Sequence, residues 1–247
     1  MDLEVYIGWD ARERAAWQVC ERSIQHHVAD YPVPVRAIGR QMLQNLGVYT
    51  RLTSEVDGKR LDHVSGEFCS TDFSLARFWL PYLAGRAGWA LYCDCDFLFR
   101  ADVREILAHA DPRYAVMVVP HRHEPADTEK MDAQAQTAYF RKNWSSLILW
   151  NLAHAGCHRV SQHDLNHWHK HDLHGFRWLA SNEIGFLPEQ WNWLEGVSPT
   201  TGRDYSLANG PIKAVHFTSG TPDMPGYEHS AFAEEWRRYL PPQRKTA

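Results

Sequence analysis

The chain has 247 residues and carries 26 Lys or Arg against 30 Asp or Glu, a formal net charge of -4 at pH 7 with His neutral. Without a basic excess it lacks the counter-charge that tracking a nucleic-acid backbone demands, so a small-molecule partner is expected and nucleic acid is not. No apolar stretch reaches about 18 residues, and Met1-Asp2-Leu3-Glu4 does not open a basic-then-apolar leader, which leads to an expectation of a cytoplasmic chain with one α/β domain over 1–247 and an irregular C-terminal part.

Leu3 to Gly8 alternates apolar and polar residues and ends in Gly, the pattern of a first strand. Ala11 to His27 follows with Ala16, Val19, Cys20 and Ile24 at helical spacing. Asp10 stands at the N-cap position with Glu13 three residues on, a capping-box spacing. Val33 to Ile38 reads as a second strand, placed at an edge or start by Pro34, with a short helix from Arg40. Residues 47–69 are polar and irregular, after which Asp72 to Leu83 resumes a helical period.

Trp89 to Cys93 is an apolar strand that leads into Asp94-Cys95-Asp96. Val103 to Ala108 is a short helix, Ala115 to Val119 a strand buried on both faces, and Ser145 to Trp150 a further strand. Ile212 to Phe217 is a late strand that opens into the polar loop Thr218-Ser219-Gly220, and a terminal helix spans Ser230 to Tyr239. Strands that alternate with helices imply an α/β sheet covered on both sides. The five cysteines (Cys20, Cys69, Cys93, Cys95, Cys157) have no zinc-type pair spacing and read as reduced thiols.

Asp94 and Asp96 are the chemically suggestive pair. On a strand, positions i and i+2 point the same way, so both carboxylates can face one hard cation such as Mg²⁺ or Mn²⁺. Two solvated loop acids are the plain alternative. Cys93 and Cys95 then face the other way, in a packing role. His163, His167, His171 and His174 recur at helical spacing, which permits either a solvated or acceptor-groove face or a zinc site. Trp178, Trp191 and Trp193 could stack on a sugar or pack in the core.

These blocks, in this order, resemble the glycosyltransferases of family 8, which include the bacterial lipooligosaccharide galactosyltransferases and glycogenin. The matching blocks are Gly8-Trp9-Asp10, Ala76-Arg77-Phe78 with Leu80-Pro81, Leu91 to Asp96, Ser145 to Leu152, and Val215-His216-Phe217 with Gly220. The resemblance implies an α/β GT-A fold with a mixed, mostly parallel central sheet, a nucleotide-binding half (1–120) and a donor-sugar and acceptor half (121–247). It implies that Asp94, Asp96 and His216 hold a divalent metal, Mn²⁺ first and Mg²⁺ second, on the diphosphate of a UDP-sugar. Tyr6, Gly8, Trp9 and Asp10 would receive base and ribose, with Arg77, Cys95 and Gly220 also on the donor. The reaction implied is retaining transfer of a hexose to a carbohydrate or lipid-linked acceptor.

The chain departs from the family pattern in three places. A Lys expected three residues after Gly220 is Asp223, which leaves the phosphate charge to Lys213 or Arg77. The Asn-Ser-Gly that precedes the sugar-lining strand is Asn143-Trp144-Ser145-Ser146, and the pair near the anomeric carbon falls to Asn182 and Glu183, the candidate catalytic residues. The rival readings are a nucleotidyltransferase, a phosphohydrolase on the same aspartates, and a degenerate nucleotide-sugar-binding protein. Arg237, Arg238, Arg244 and Lys245 leave a peripheral contact with the inner membrane face open.

Overall fold

The computed structural model describes residues 3–28, 30–121, 144–198, 206–207 and 210–242. Strand β1 (Leu3–Gly8) is followed by helix α1 (Arg14–His27), β2 (Val35–Ile38) and α2 (Arg40–Asn45). A meander of β3 (Thr53–Val56), β4 (Lys59–Asp62) and β5 (Glu67–Cys69) comes next, then α3 (Leu80–Leu83), β6 (Trp89–Cys93), β7 (Phe97–Phe99) and β8 (Val116–Val118). The later elements are β9 (Leu147–Asn151), α4 (Gln162–His167), α5 (Lys170–His174), β10 (Ile184–Phe186), β11 (Trp193–Leu194), β12 (Ser206–Leu207), β13 (Gly210–Pro211), β14 (Ala214–His216) and α6 (Ala233–Arg237).

The central sheet has six strands in the order β10-β8-β9-β6-β1-β2. Strand β9 alone in it runs antiparallel to its neighbours β6 and β8, while β1 pairs parallel with β2 and β6, and β10 with β8. The sheet is therefore mixed and mostly parallel, as expected. Strands β6, β8 and β9 are buried along their whole length, in keeping with their unbroken apolar runs. A second, three-stranded sheet has the order β11-β14-β7, and β7 follows β6 after only three residues, so Asp94-Cys95-Asp96 carries the chain from one sheet to the other.

Several elements differ from the sequence expectation for identifiable reasons. Residues 53–69, read as irregular, form an antiparallel three-stranded sheet. Its first turn is Asp57-Gly58, both with positive φ (50° and 71°), the backbone a two-residue hairpin needs. The expected helix over Asp72–Leu83 is instead a 3-10 turn (Ala76–Trp79) and the short α3, with Pro81 in its first turn, where a ring without an N–H ends continuity with the turn before. Asp10 does cap, accepting from Arg12 N, but it caps a 3-10 turn (Ala11–Glu13) in which Glu13 N donates to Asp10 O and the Glu13 side chain instead accepts from Cys95 Sγ. The terminal helix is shorter than expected, Ala233–Arg237.

The histidines do not share one helical face. α4 closes at Trp168, and α5 starts afresh with His169 Nδ1 accepting from His171 N. Trp178, Trp191 and Trp193 are all core residues, which decides against sugar stacking by them. All five cysteines are free.

One fully buried ion pair ties the β3–β5 sheet to the rest of the molecule. Arg51 Nη2 lies 2.7 Å from Asp62 Oδ2, Arg51 Nε donates to Asp62 Oδ1 at 2.8 Å, and Arg51 Nη1 donates to Leu165 O. Burial works against the Asp62 charge, but the bonds from Arg51 and Ser65 win and hold its carboxyl below the ordinary value. Asp62→Asn strands a buried guanidinium and should cost about 3–5 kcal/mol in urea unfolding at neutral pH. Because the folded value is depressed, that stability gap is full above the unfolded Asp value of about 3.9 and closes as pH falls through the folded one.

Candidate active site

The site lies where β6 leaves the central sheet. Asp94 N donates to Ser146 O at 2.9 Å, and Phe217 N donates to Asp96 O at 3.0 Å, so each aspartate is held by backbone from a different distant strand end. Strand β14 pairs antiparallel with β7 and sets His216 opposite Phe97, the residue after Asp96. The His216 ring stacks on Phe97 at 4.4 Å between centroids. Asp94, Asp96 and His216 thereby offer three ligand atoms within 4.8 Å of one another.

Asp94 is oriented on both oxygens. Tyr92 Oη donates to Oδ1 at 2.6 Å, while Arg77 Nη2 lies 2.9 Å from Oδ1 and Arg77 Nη1 donates to Oδ2 at 3.3 Å. Burial, only partly offset by Arg77 and reinforced by the Asp96 charge, pushes the Asp94 carboxyl above its ordinary value. The residues fit a divalent cation: Asp96 Oδ1 is buried without a hydrogen-bond partner, and His216 turns Nε2 toward Asp96 Oδ2 at 3.4 Å. An orphaned carboxylate oxygen beside an imidazole nitrogen is a donor set suited to a divalent ion.

Around the triad is a cleft of about 420 Å³, a volume typical of small-molecule sites. Its walls include Arg77, Ser145 and Ser146, Thr218 to Thr221 after β14, and Lys170, His171 and His174 from α5. Arg77 Nη1 donates to Ser145 O at 2.6 Å, and Ser145 Oγ is 2.8 Å from His174 Nδ1. Gly220 has φ +159°, and a Cβ there would sit 2.5 Å from the Tyr227 ring, so only glycine permits this loop path.

The structure sorts the remaining expected residues. Gly8 supports the site indirectly: a Cβ there would fall 2.5 Å from Phe73 Cγ and 2.8 Å from Tyr92 Oη, the hydroxyl that holds Asp94. Asp10 is buried and accepts from Asp72 N at 3.0 Å, which ties the cleft-lining 70–74 turn to the start of α1. Burial opposes its ionisation, yet Arg12 holds its carboxyl below the ordinary value. Trp9 packs edge-on to Trp17 at 5.5 Å. Cys95 turns away from the triad, and its Sγ donates to Glu13 Oε2 at 2.9 Å. Glu13 itself lines the cleft, its carboxyl raised to about 7 by burial and the nearby aspartates against the pull of Cys95.

Four expected residues, Tyr6, Asn182, Glu183 and Lys213, lie away from the cleft. Tyr6 donates to Glu4 and lines a separate cavity against Arg36, Met42 and Leu83. Asn182 and Glu183 form a 3-10 turn before β10 that does not line the cleft, and Glu183 is engaged by Arg159 Nη1 and Nη2, each at 2.8 Å. Those bonds hold the Glu183 carboxyl down at about 2. Lys213 is paired with Glu105 at 2.7 Å, also off the cleft. Asn143, Arg244 and Lys245 lie outside the described residues.

Sequence reasoning missed Lys170, a cleft-lining cation from the His-rich stretch, and Asn192, fully buried between two core tryptophans. A polar residue inside an aromatic run was the available signal for the second. Glu67, His169 and His171 also lie close together. There, however, Lys170 Nζ already occupies Glu67 at 2.7 Å, and His169 Nδ1 is spent on His171 N, which puts the ring proton on Nε2. That group is an ion-pair cluster.

No helix among the described residues is long and apolar enough to cross a membrane. No protein-family profile matches the chain. Among solved structures, the galactosyltransferase LgtC in complex with donor and acceptor sugar analogs superposes with a TM-score of 0.56 at 15% identity, over 96% of this chain and 94% of that one. The glycosyltransferase GlyE of Streptococcus pneumoniae gives 0.53 at 14% identity, over 96% of this chain and 60% of its own. These likenesses establish the GT-A fold. Protein CDI of Arabidopsis thaliana is 37% identical over 234 residues, which span 95% of this chain and 84% of that protein. An identity of that size, sustained along nearly the whole sequence, means that the chain belongs to the family of Protein CDI.

Proposed function

We propose that this chain is a divalent-metal-dependent glycosyltransferase that moves a hexose from a UDP-sugar to a carbohydrate or lipid-linked acceptor with retention of configuration, acting in the cytoplasm. The observation that carries the reading is the convergence of Asp94, Asp96 and His216 on one edge of a nucleotide-sized cleft, with Asp96 Oδ1 buried and unpartnered. Asp94, Asp96 and His216 would hold Mn²⁺ or Mg²⁺, and the ion when bound supplies Lewis-acid stabilisation of the charge on a departing diphosphate.

The chain's own residues supply the rest. Tyr92 and Arg77 fix the Asp94 carboxylate before any ligand arrives, so no reorientation is needed at the moment of reaction. Lys170 contributes positive charge to the cleft wall, in place of the absent Lys at position 223. Its ammonium is held by Glu67 Oε2 and Phe68 O, two partners for three protons. Hydroxyls of Ser70, Thr71, Ser74 and Ser145 line the cleft and match the hydrogen-bonding demand of a sugar. Glycosyl transfer in place of hydrolysis requires that water be kept from the donor, and Phe68, Phe73 and Met224 give the cleft apolar walls for that purpose.

In a panel of UDP-sugars with Mn²⁺, UDP release should appear with at least one donor and vanish on chelation. Asp94→Ala, Asp96→Ala and His216→Ala should each lower it by about 100-fold or more, as expected when several kcal/mol of charge stabilisation is lost. The reading falls if no donor binds or releases UDP, or if Asp94→Ala performs as well as the wild type.

Glu183→Gln tests the other carboxylate singled out in the sequence. Its ion pair with half-exposed Arg159 is worth only about 0.5–1 kcal/mol, so the variant should lose a little thermal stability and keep its turnover. With a folded value near 2, that stability contribution is present above the unfolded Glu value of about 4.3 and fades as pH falls toward 2. Turnover that collapses with unchanged stability would return Glu183 to the chemistry.

A further inference from the structure

His216 meets the cleft with one ring nitrogen and the core with the other. Nε2 faces Asp96, and Nδ1 lies 3.0 Å from Asn192 Oδ1. A neutral imidazole carries a single proton, and an amide oxygen can only accept. The contact with Asn192 therefore requires the proton on Nδ1, which leaves the Nε2 lone pair directed at the aspartates.

Asn192 has two ends, and only one of them does this. Were the amide reversed, its NH₂ would face the ring and demand an unprotonated Nδ1, so the ring proton would move to Nε2 and occupy the coordinating position. Asn192 Nδ2 donates to Ser146 Oγ at 3.0 Å, so both ends of the amide have a partner in this orientation. Asn192 is fully buried, so water does not offer its oxygen a substitute for the His216 ring. Ser146 is also the residue whose carbonyl accepts from Asp94 N. The residue just before β9 thus meets the first aspartate through its backbone and Asn192 through its side chain.

We propose that Asn192, through its side-chain oxygen, is a positioning residue that keeps the His216 Nε2 lone pair on the divalent-cation site. This rests on the metal reading of the triad, and the test separates the two. Mn²⁺ binding to the purified chain, without nucleotide sugar, is read from the electron paramagnetic resonance signal of free Mn²⁺. Asn192→Leu, similar in volume but without an acceptor, should bind about 10- to 100-fold more weakly than the wild type. Asn192→Asp keeps an acceptor, has no donor end, and should bind at least as tightly.

The Asn192→Asp variant tests the proposal on its own if the leucine variant does not fold, because the Ser146 hydroxyl can turn to donate to the second carboxylate oxygen. Binding by Asn192→Leu equal to wild type, or by Asn192→Asp about 10-fold or more weaker than wild type, overturns the proposal. A wild-type chain that binds no Mn²⁺ overturns the metal reading and this inference with it.

Discussion

The antiparallel pairing of β7 with β14 is the constraint on which the site depends. It opposes His216 to Phe97, and so brings a histidine 120 positions further along the chain beside Asp96. A slip of one residue in that pairing would turn the imidazole to the other face of the small sheet and empty the third ligand position. Several contacts guard the register: the His216 ring stacks on Phe97, Phe217 N bonds to Asp96 O, and Arg100 N bonds to Lys213 O on the other side of the paired segment. The fully buried Leu98 and Val215 face one another inside it.

Behind that register stands a layer of residues that position the triad. Gly8 leaves room for the Tyr92 hydroxyl and the Phe73 ring, Tyr92 and Arg77 aim Asp94, and Asn192 orients His216. Asp10 belongs here as well, since it clamps the 70–74 turn that forms one cleft wall. The first strand-to-helix turn thus shapes the site by packing and hydrogen bonding. Cys95, expected on the donor, serves the same layer through Glu13.

Much of the architecture was legible because the signals were local. Unbroken apolar runs marked β6, β8 and β9, and the order of the blocks pointed to the fold that the structural likenesses then established. The β3–β5 meander was missed although Asp57-Gly58 marks its first hairpin, because its strands are polar and half exposed and lack a clean alternation. The His-rich stretch misled in the other direction. Helical spacing there predicts one shared face, but the break at Trp168 and His169 sends His174 into the cleft, His171 to Glu67, and His163 against His167.

Sequence by itself determined which strands are buried, which acids stand at a strand end, and that His216 follows a late strand into a polar loop, since each of these follows from neighbours along the chain. Only the tertiary structure decided which side chains share the cleft. Lys170 lines it and Lys213 does not; Glu13 lines it and Glu183 is held away by Arg159. The physical reason is that a charged side chain goes where its partner is, and those partners sit on separate elements whose approach is set by sheet pairing and core packing.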